Sequence, residues 1–213
     1  MSEQSVDPRI VRTKKMLKEA LAELIEEKGF DAITVKDLTT RAGLNRGTFY
    51  LNYVDKYDLL EKSEEEALQG LSEITRHANP SEVRQYLARK EVYPPLIRVF
   101  EYLIEHKTFF KAILGPKGNP TFQKKLRDFM ETKFYEKLIP LHTNDAAKVV
   151  PIDYLIAYFT SANLGVIQHW FESGMKYTPR EMATMMASLS LNGPTGLLFS
   201  ASAPPAKEPP DQP

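Results

Sequence analysis

Asn45, Arg46, Thr48 and Tyr50 lie within one short run, LNRGTFYLNY, spanning residues 44–53. Their side chains are of the kind that reads stacked bases. Arginine can bond guanine bidentately, asparagine can do the same with adenine, and threonine offers a methyl to thymine or a hydroxyl to phosphate. Gly47 has no side chain, so a helix carrying it can bring its backbone close to a duplex. Tyr50 and Tyr53 each combine a ring that packs inward with a hydroxyl able to reach phosphate. Lys56 stands at a helix start, where its charge and the free N–H groups both suit an anion, and Thr34 holds the like position on an earlier helix. With Lys36 and Leu44 at the borders of this surface, the candidate contacts are Thr34, Lys36, Leu44, Asn45, Arg46, Gly47, Thr48, Tyr50, Tyr53 and Lys56. Other readings stay open, among them a structural role for Tyr50 and Lys56. Tyr53 also suits a core, Arg46 a solvated surface, and Arg41 the role of counter-ion to nearby carboxylates.

The surrounding pattern supplies the elements that would hold these groups. Thr34 can cap a helix with Asp37 as its acidic partner three residues on. Val35, Leu38 and Ala42 then share one face. Gly43 permits a sharp backbone reversal, and Leu44 and Phe49 anchor the next helix inward. Two helices joined by a glycine turn make a helix-turn-helix, whose second helix can enter the major groove of DNA.

The order of residues resembles the TetR family of bacterial transcriptional regulators. The resemblance is carried by Gly29-Phe30, Thr34-Val35, Ala42-Gly43-Leu44, Gly47-Thr48-Phe49-Tyr50, Tyr53 and the Lys56…Leu59-Leu60 pattern, all in one ungapped register. It covers roughly residues 9 to 62. It implies a three-helix DNA-binding head in which positions such as Thr34, Tyr50 and Lys56 clamp the phosphate backbone while the recognition helix reads sequence.

Charge and composition bound the alternatives. Lysine plus arginine and aspartate plus glutamate both number 28, so no overall basic surplus marks a nucleic-acid binder. The cations are instead placed locally, with Arg9, Arg12, Lys14 and Lys15 at the start of the first helix and Lys36, Arg41, Arg46 and Lys56 around the turn. Cysteine is absent, which removes disulfides and thiolate chemistry. His77, His106, His142 and His169 have no metal-ligand spacing, and neither a phosphate-cradling loop nor a nucleophile elbow occurs. The expectation is a protein that is not an enzyme and needs no metal or cofactor. Met1 to Pro8 is polar rather than a signal peptide, and Ile152 to Phe171 is interrupted by Asp153, Asn163, Gln168 and His169. A cytoplasmic protein without a membrane span is expected.

Everything beyond the head reads as helix, giving an all-α fold. Leu17, Ala20, Leu21, Leu24 and Ile25 mark one buried helical face that ends at Gly29. Asp55 caps a fourth helix that runs to about residue 78 as a connector, and its acidic stretch Glu61 to Glu66 suggests a solvated face. The head is placed at 8–62, and a helical bundle for ligand binding and dimerisation at 81–195. A disordered tail is placed at 200–213. Within the bundle, Ser81 looks like a helix start, Pro94-Pro95 interrupts a helical segment, and Gly115-Pro116 ends a short apolar run. Pro140 closes another stripe, a long apolar helix opens at Pro151 or Ile152, and Thr178-Pro179 begins the last helix, through Leu191.

The second unit is similar to the C-terminal domain of Gram-positive TetR-type regulators, among them those of dihydroxyacetone-kinase operons. Resemblance implies a homodimer that binds double-stranded operator DNA and an unidentified small-molecule effector. Ile152 to Phe171, with small residues Ser161, Ala162 and Gly165, suits a helix packed against a partner copy. Tyr102, Phe109, Phe110, Phe129, Phe134, Tyr154, Tyr158, His169 and Trp170 can line an apolar effector pocket, the alternative being ordinary core packing. The function expected is a sequence-specific repressor released when an effector tilts the connector. The alternative is a TetR-like interaction protein or coactivator that works through a partner regulator without its own effector.

Overall fold

The computed structural model describes residues 7–79, 91–138 and 150–200, with 82, 85, 86 and 89 between them. Nine helices and no strand occur among these residues, as the sequence pattern predicts. None of the helices described is long and apolar enough to cross a membrane.

The first four helices are punctuated by capping chemistry. α1 (Pro8–Lys28) starts where the Asp7 carboxylate accepts the Arg9 N–H at 2.8 Å, and Pro8 fills a first-turn position where its missing N–H costs nothing. It ends at Gly29, with φ of 77°. α2 (Val35–Ala42) begins at Thr34 and stops at Gly43, whose left-handed φ of 65° a β-carbon would resist. α3 (Arg46–Tyr50) is capped by Asn45, and α4 (Lys56–Thr75) by Asp55, whose carboxylate accepts the N–H groups of Tyr57 and Asp58.

The second half contains α5 (Pro94–Glu105), α6 (Lys107–Leu114), α7 (Pro120–Leu138), α8 (Ile152–Glu172) and α9 (Pro179–Ser200). Pro94 and Pro95 open a helix instead of interrupting one, because both sit in its first turn. Before them, the Tyr93 hydroxyl accepts the Asn79 N–H at 2.7 Å. α9 is two helical stretches joined at Gly193 (φ 65°, ψ 162°), close to the expected end at Leu191. Ser200, the expected first residue of the tail, closes α9. The rest of the tail, the helix start at Ser81 and the stop at Pro140 lie outside the described residues.

One apolar core runs through both halves. Leu17, Leu21 and Ile25 of α1 belong to the same cluster as Phe109, Phe110 and Ile113 of α6 and Trp170 of α8. Polar ties follow the same seam. Lys111 pairs with Glu26 at 3.0 Å, Lys117 Nζ donates to the Glu27 carbonyl at 2.8 Å, and Lys18 Nζ lies 5.0 Å from the Phe109 ring centroid.

The acidic run of α4 is not a solvated face along its whole length. Glu64 is 2% exposed, its two carboxylate oxygens taken by Asn119 Nδ2 at 2.9 Å and Lys125 Nζ at 2.8 Å. The pairing raises the Lys125 pKa and fastens the connector to α7. Only Glu61, Glu65 and Glu66 within the run's carboxylates are exposed.

Candidate nucleic-acid interface

The corner made by α2, Gly43 and α3 uses much of its own polar chemistry to hold its shape. Thr34 Oγ1 accepts the Asp37 N–H at 3.2 Å, while the Asp37 carboxylate accepts the Thr34 N–H at 2.9 Å and hydroxyl at 2.7 Å. Lys28 Nζ joins that carboxylate at 2.8 Å. Lys28 first, and then the two Thr34 donors, hold Asp37 well below the usual carboxylate range. Thr34 therefore serves as a cap with its hydroxyl committed on both sides. Asn45 is committed too. Its Oδ1 accepts the Thr48 N–H at 2.7 Å and hydroxyl at 3.0 Å, so the oxygen needed for bidentate pairing with adenine is occupied within the protein. Leu44 is half-buried and packs on the core.

What α3 turns outward is narrower than the sequence pattern suggests. Arg46, Gly47 and Tyr50 are exposed, on the side opposite the fully buried Phe49. The Arg46 guanidinium lies 5.9 Å from the Tyr50 ring centroid and donates to its hydroxyl at 3.3 Å. Leu51 and Val54, which the sequence reading passed over, are exposed beside them. A signal for Leu51 existed in its i+4 spacing from Gly47. Lys36 is exposed on α2, and among the described residues Arg9, Arg12, Lys14, Lys36 and Arg46 enter no ion pair. The remaining cations are spent internally. Arg41 bonds Glu23 and Glu27, which raises its own pKa and lowers that of Glu27.

Lys56 occupies a place different from the one expected, and Tyr53 takes its core alternative. Lys56 Nζ donates to the carbonyls of Phe30, Asp31 and Ile33 at 3.2, 2.9 and 2.9 Å. An ammonium has three donors, so this group is fully used in fastening the start of α4 to the α1–α2 loop. Tyr53 is 6% exposed and its ring packs on Phe49. Burial, reinforced by Glu66 and Asp58, pushes its hydroxyl up to about 12.

The nine residues expected to line an effector pocket are divided between the core and the surface. Tyr102, Phe109, Phe110 and Trp170 are buried in the core. Tyr102 packs so tightly on α4 that a β-carbon at Gly70 would collide with its hydroxyl. Trp170 meets Phe100 edge to face at 5.4 Å and donates Nε1–H to the Tyr177 carbonyl at 3.1 Å. Phe129 is half-buried under Lys133, and Phe134 stacks on Phe159. Tyr154, Tyr158 and His169 face outward along α8. A cleft of about 330 Å³ lies elsewhere, between α1, the end of α6 and the end of α8. Glu26, Lys111, Leu114, Pro116, Gln168 and Phe171 are among the residues lining it.

Two family profiles match this chain. One, "Bacterial regulatory proteins, tetR family", matches residues 17–62, and the other, "Transcriptional regulator C-terminal region", matches residues 90–192. The chain belongs to the TetR family of bacterial transcriptional regulators. Its helix-turn-helix lies within the stretch matched by the first profile, and its helical second half matches the C-terminal region of such proteins.

The uncharacterized HTH-type transcriptional regulator YxbF of Bacillus subtilis (strain 168) is 25% identical to this TetR-family chain over 196 residues, 90% of the chain. The chain spans 48% of that relative's length. Solved structures share the fold at lower identity. A TetR transcriptional regulator from Streptococcus agalactiae 2603V is 22% identical, with a TM-score of 0.59 over 86% of this chain and 96% of its own. The dihydroxyacetone kinase operon activator DhaS is 18% identical, with a TM-score of 0.54 over 84% and 94%. The fatty acid degradation regulator FadR from Bacillus halodurans is 16% identical, with a TM-score of 0.62 over 90% and 98%.

Proposed function

We propose that this TetR-family chain is a homodimeric repressor that binds operator DNA through α3 and leaves it when a small molecule occupies the second half. The observation that carries the reading is the outward side of α3. After capping and core packing have taken Thr34, Asn45, Thr48 and Tyr53, this side retains Arg46, Gly47 and Tyr50, and Lys36 is exposed on α2 with no ion pair among the described residues. A guanidinium beside a bare backbone suits a guanine edge or a phosphate in the major groove.

Dimerisation is supported by α8. Tyr154, Tyr158, Ser161, Ala162, Gly165 and His169 form one exposed stripe at helical spacing, with Tyr154 69% and Tyr158 54% exposed. Two large aromatic residues beside a patch of small ones suit close packing against the same helix of a second copy. A two-fold dimer then presents both α3 helices to half-sites one helical turn apart. For release, the cleft between α1, α6 and α8 offers an effector seat at the small end of the usual ligand-site range. A ligand there touches both the head and the bundle. A coupling of about 1–3 kcal/mol between the two sites is sufficient for regulation.

The test is selection of duplexes from a random DNA pool by the full chain, followed by titration and mass measurement in solution. Expected are a dimer on a two-fold symmetric site and an affinity that falls by orders of magnitude between about 50 and 200 mM salt. A chain that enriches no sequence and binds all duplexes alike would overturn the reading.

A further inference from the structure

Leu51 is 86% and Val54 77% exposed, the two most exposed large apolar side chains among the described residues. A lone surface leucine needs no explanation, but this pair stands beside the outward side of α3. The Leu51 N–H bonds the Gly47 carbonyl at 3.1 Å, which places Leu51 one turn beyond the glycine on the same side of the helix. Because Gly47 has no side chain, nothing on that turn covers the leucine. Arg46, on the same short helix and in no ion pair among the described residues, supplies the positive charge that draws a polyanion, although Asp55 and Asp58 follow Val54. In the major groove of such a polyanion the apolar group presented by a base pair is the thymine 5-methyl.

We propose that Leu51, bordered by Val54, reads a thymine 5-methyl group in each operator half-site. The assignment rests on the DNA-binding reading above and deepens it by adding a specificity determinant that makes no hydrogen bond. Arg46 supplies the polar contact of α3, and Leu51 supplies discrimination between thymine and bases lacking the methyl.

The experiment replaces thymine by uracil, one position at a time, in the duplex selected by the full chain. The exchange removes one methyl and keeps every hydrogen-bonding group. Expected is one thymine per half-site at which uracil weakens binding about four-fold, the worth of one buried methyl-sized group. Exchange in both half-sites should weaken it about fifteen-fold, since separate sites act additively. Leu51→Ala should lose a similar factor on the thymine duplex and show no further loss with uracil at that position. Its melting temperature should match that of the parent, as the side chain is 86% exposed. Uracil sensitivity retained in full by Leu51→Ala, or absent from the parent, would overturn the proposal and leave DNA binding intact. Failure of the parent chain to select any duplex would instead overturn the DNA-binding reading itself.

Discussion

The outward side of α3 and the aromatic interior of the second half show opposite fates for residues with similar functional promise. In the head, Arg46 and Tyr50 stay available because the backbone ends are satisfied by Asn45 and Asp37, not by them. In the second half, Tyr102, Phe109, Phe110 and Trp170 are absorbed by packing, while Tyr154, Tyr158 and His169 turn out of the fold. The comparison teaches that residue type nominates a site and the fold's own needs decide which nominees remain. Lys56 makes the same point within the head. Its ammonium is a plausible phosphate ligand until three loop carbonyls are counted around it.

The contrast breaks most visibly at Trp170. Trp170→Ala should destabilise the protein by about 3–5 kcal/mol in denaturant titration, as expected of a buried aromatic. A loss below about 1 kcal/mol would return Trp170 to the lining of an open pocket. Lys56→Ala should come next, costing about 2–3 kcal/mol through the three charged hydrogen bonds it forfeits. The salt dependence of DNA binding should keep its slope. A slope reduced by about one unit would show the ammonium on a phosphate instead.

Arg46→Ala should leave the melting temperature unchanged and weaken operator binding by about 1–3 kcal/mol, with relaxed preference at one position per half-site. Equal weakening on every sequence would reassign Arg46 to the DNA backbone. The smallest effect is expected at Asp37, and it depends on pH. Because the folded-state pKa is depressed, its stabilising effect is present above the ordinary carboxylate value of about 4 and is lost as pH falls towards the folded value. Asp37→Asn should therefore melt earlier than the parent at pH 7, and the two curves should converge in acid. A gap that stays constant with pH would remove the Asp37 charge from the stability of the head.

Local signals were legible in the sequence, and long-range ones were not. Thr34 with Asp37, Gly43 and Asp55 state where helices begin and end, since caps depend on neighbours within about four residues. The order of helices and the inward face of α1 follow from periodicity alone. By contrast, the burial of Glu64 depends on Lys125 and Asn119, more than fifty positions away, and no pattern within α4 marks it. The same holds for Lys56, whose acceptors are backbone atoms that carry no residue signature. Asn45 reads in the sequence as a base contact alone, although the same residue type also caps helices.

The core shared by α1 and α6 limits how this regulator can be recombined. A head spanning residues 8–62, cut free, would expose the side of α1 that meets Phe109 and Phe110, along with Lys18 and Glu26 shorn of partners across the seam. On the DNA-binding reading proposed above, specificity is thus not carried on a detachable cassette. Moving it to another bundle requires a matching surface in place of α6, so exchange of a few α3 residues is the shorter route to a new operator.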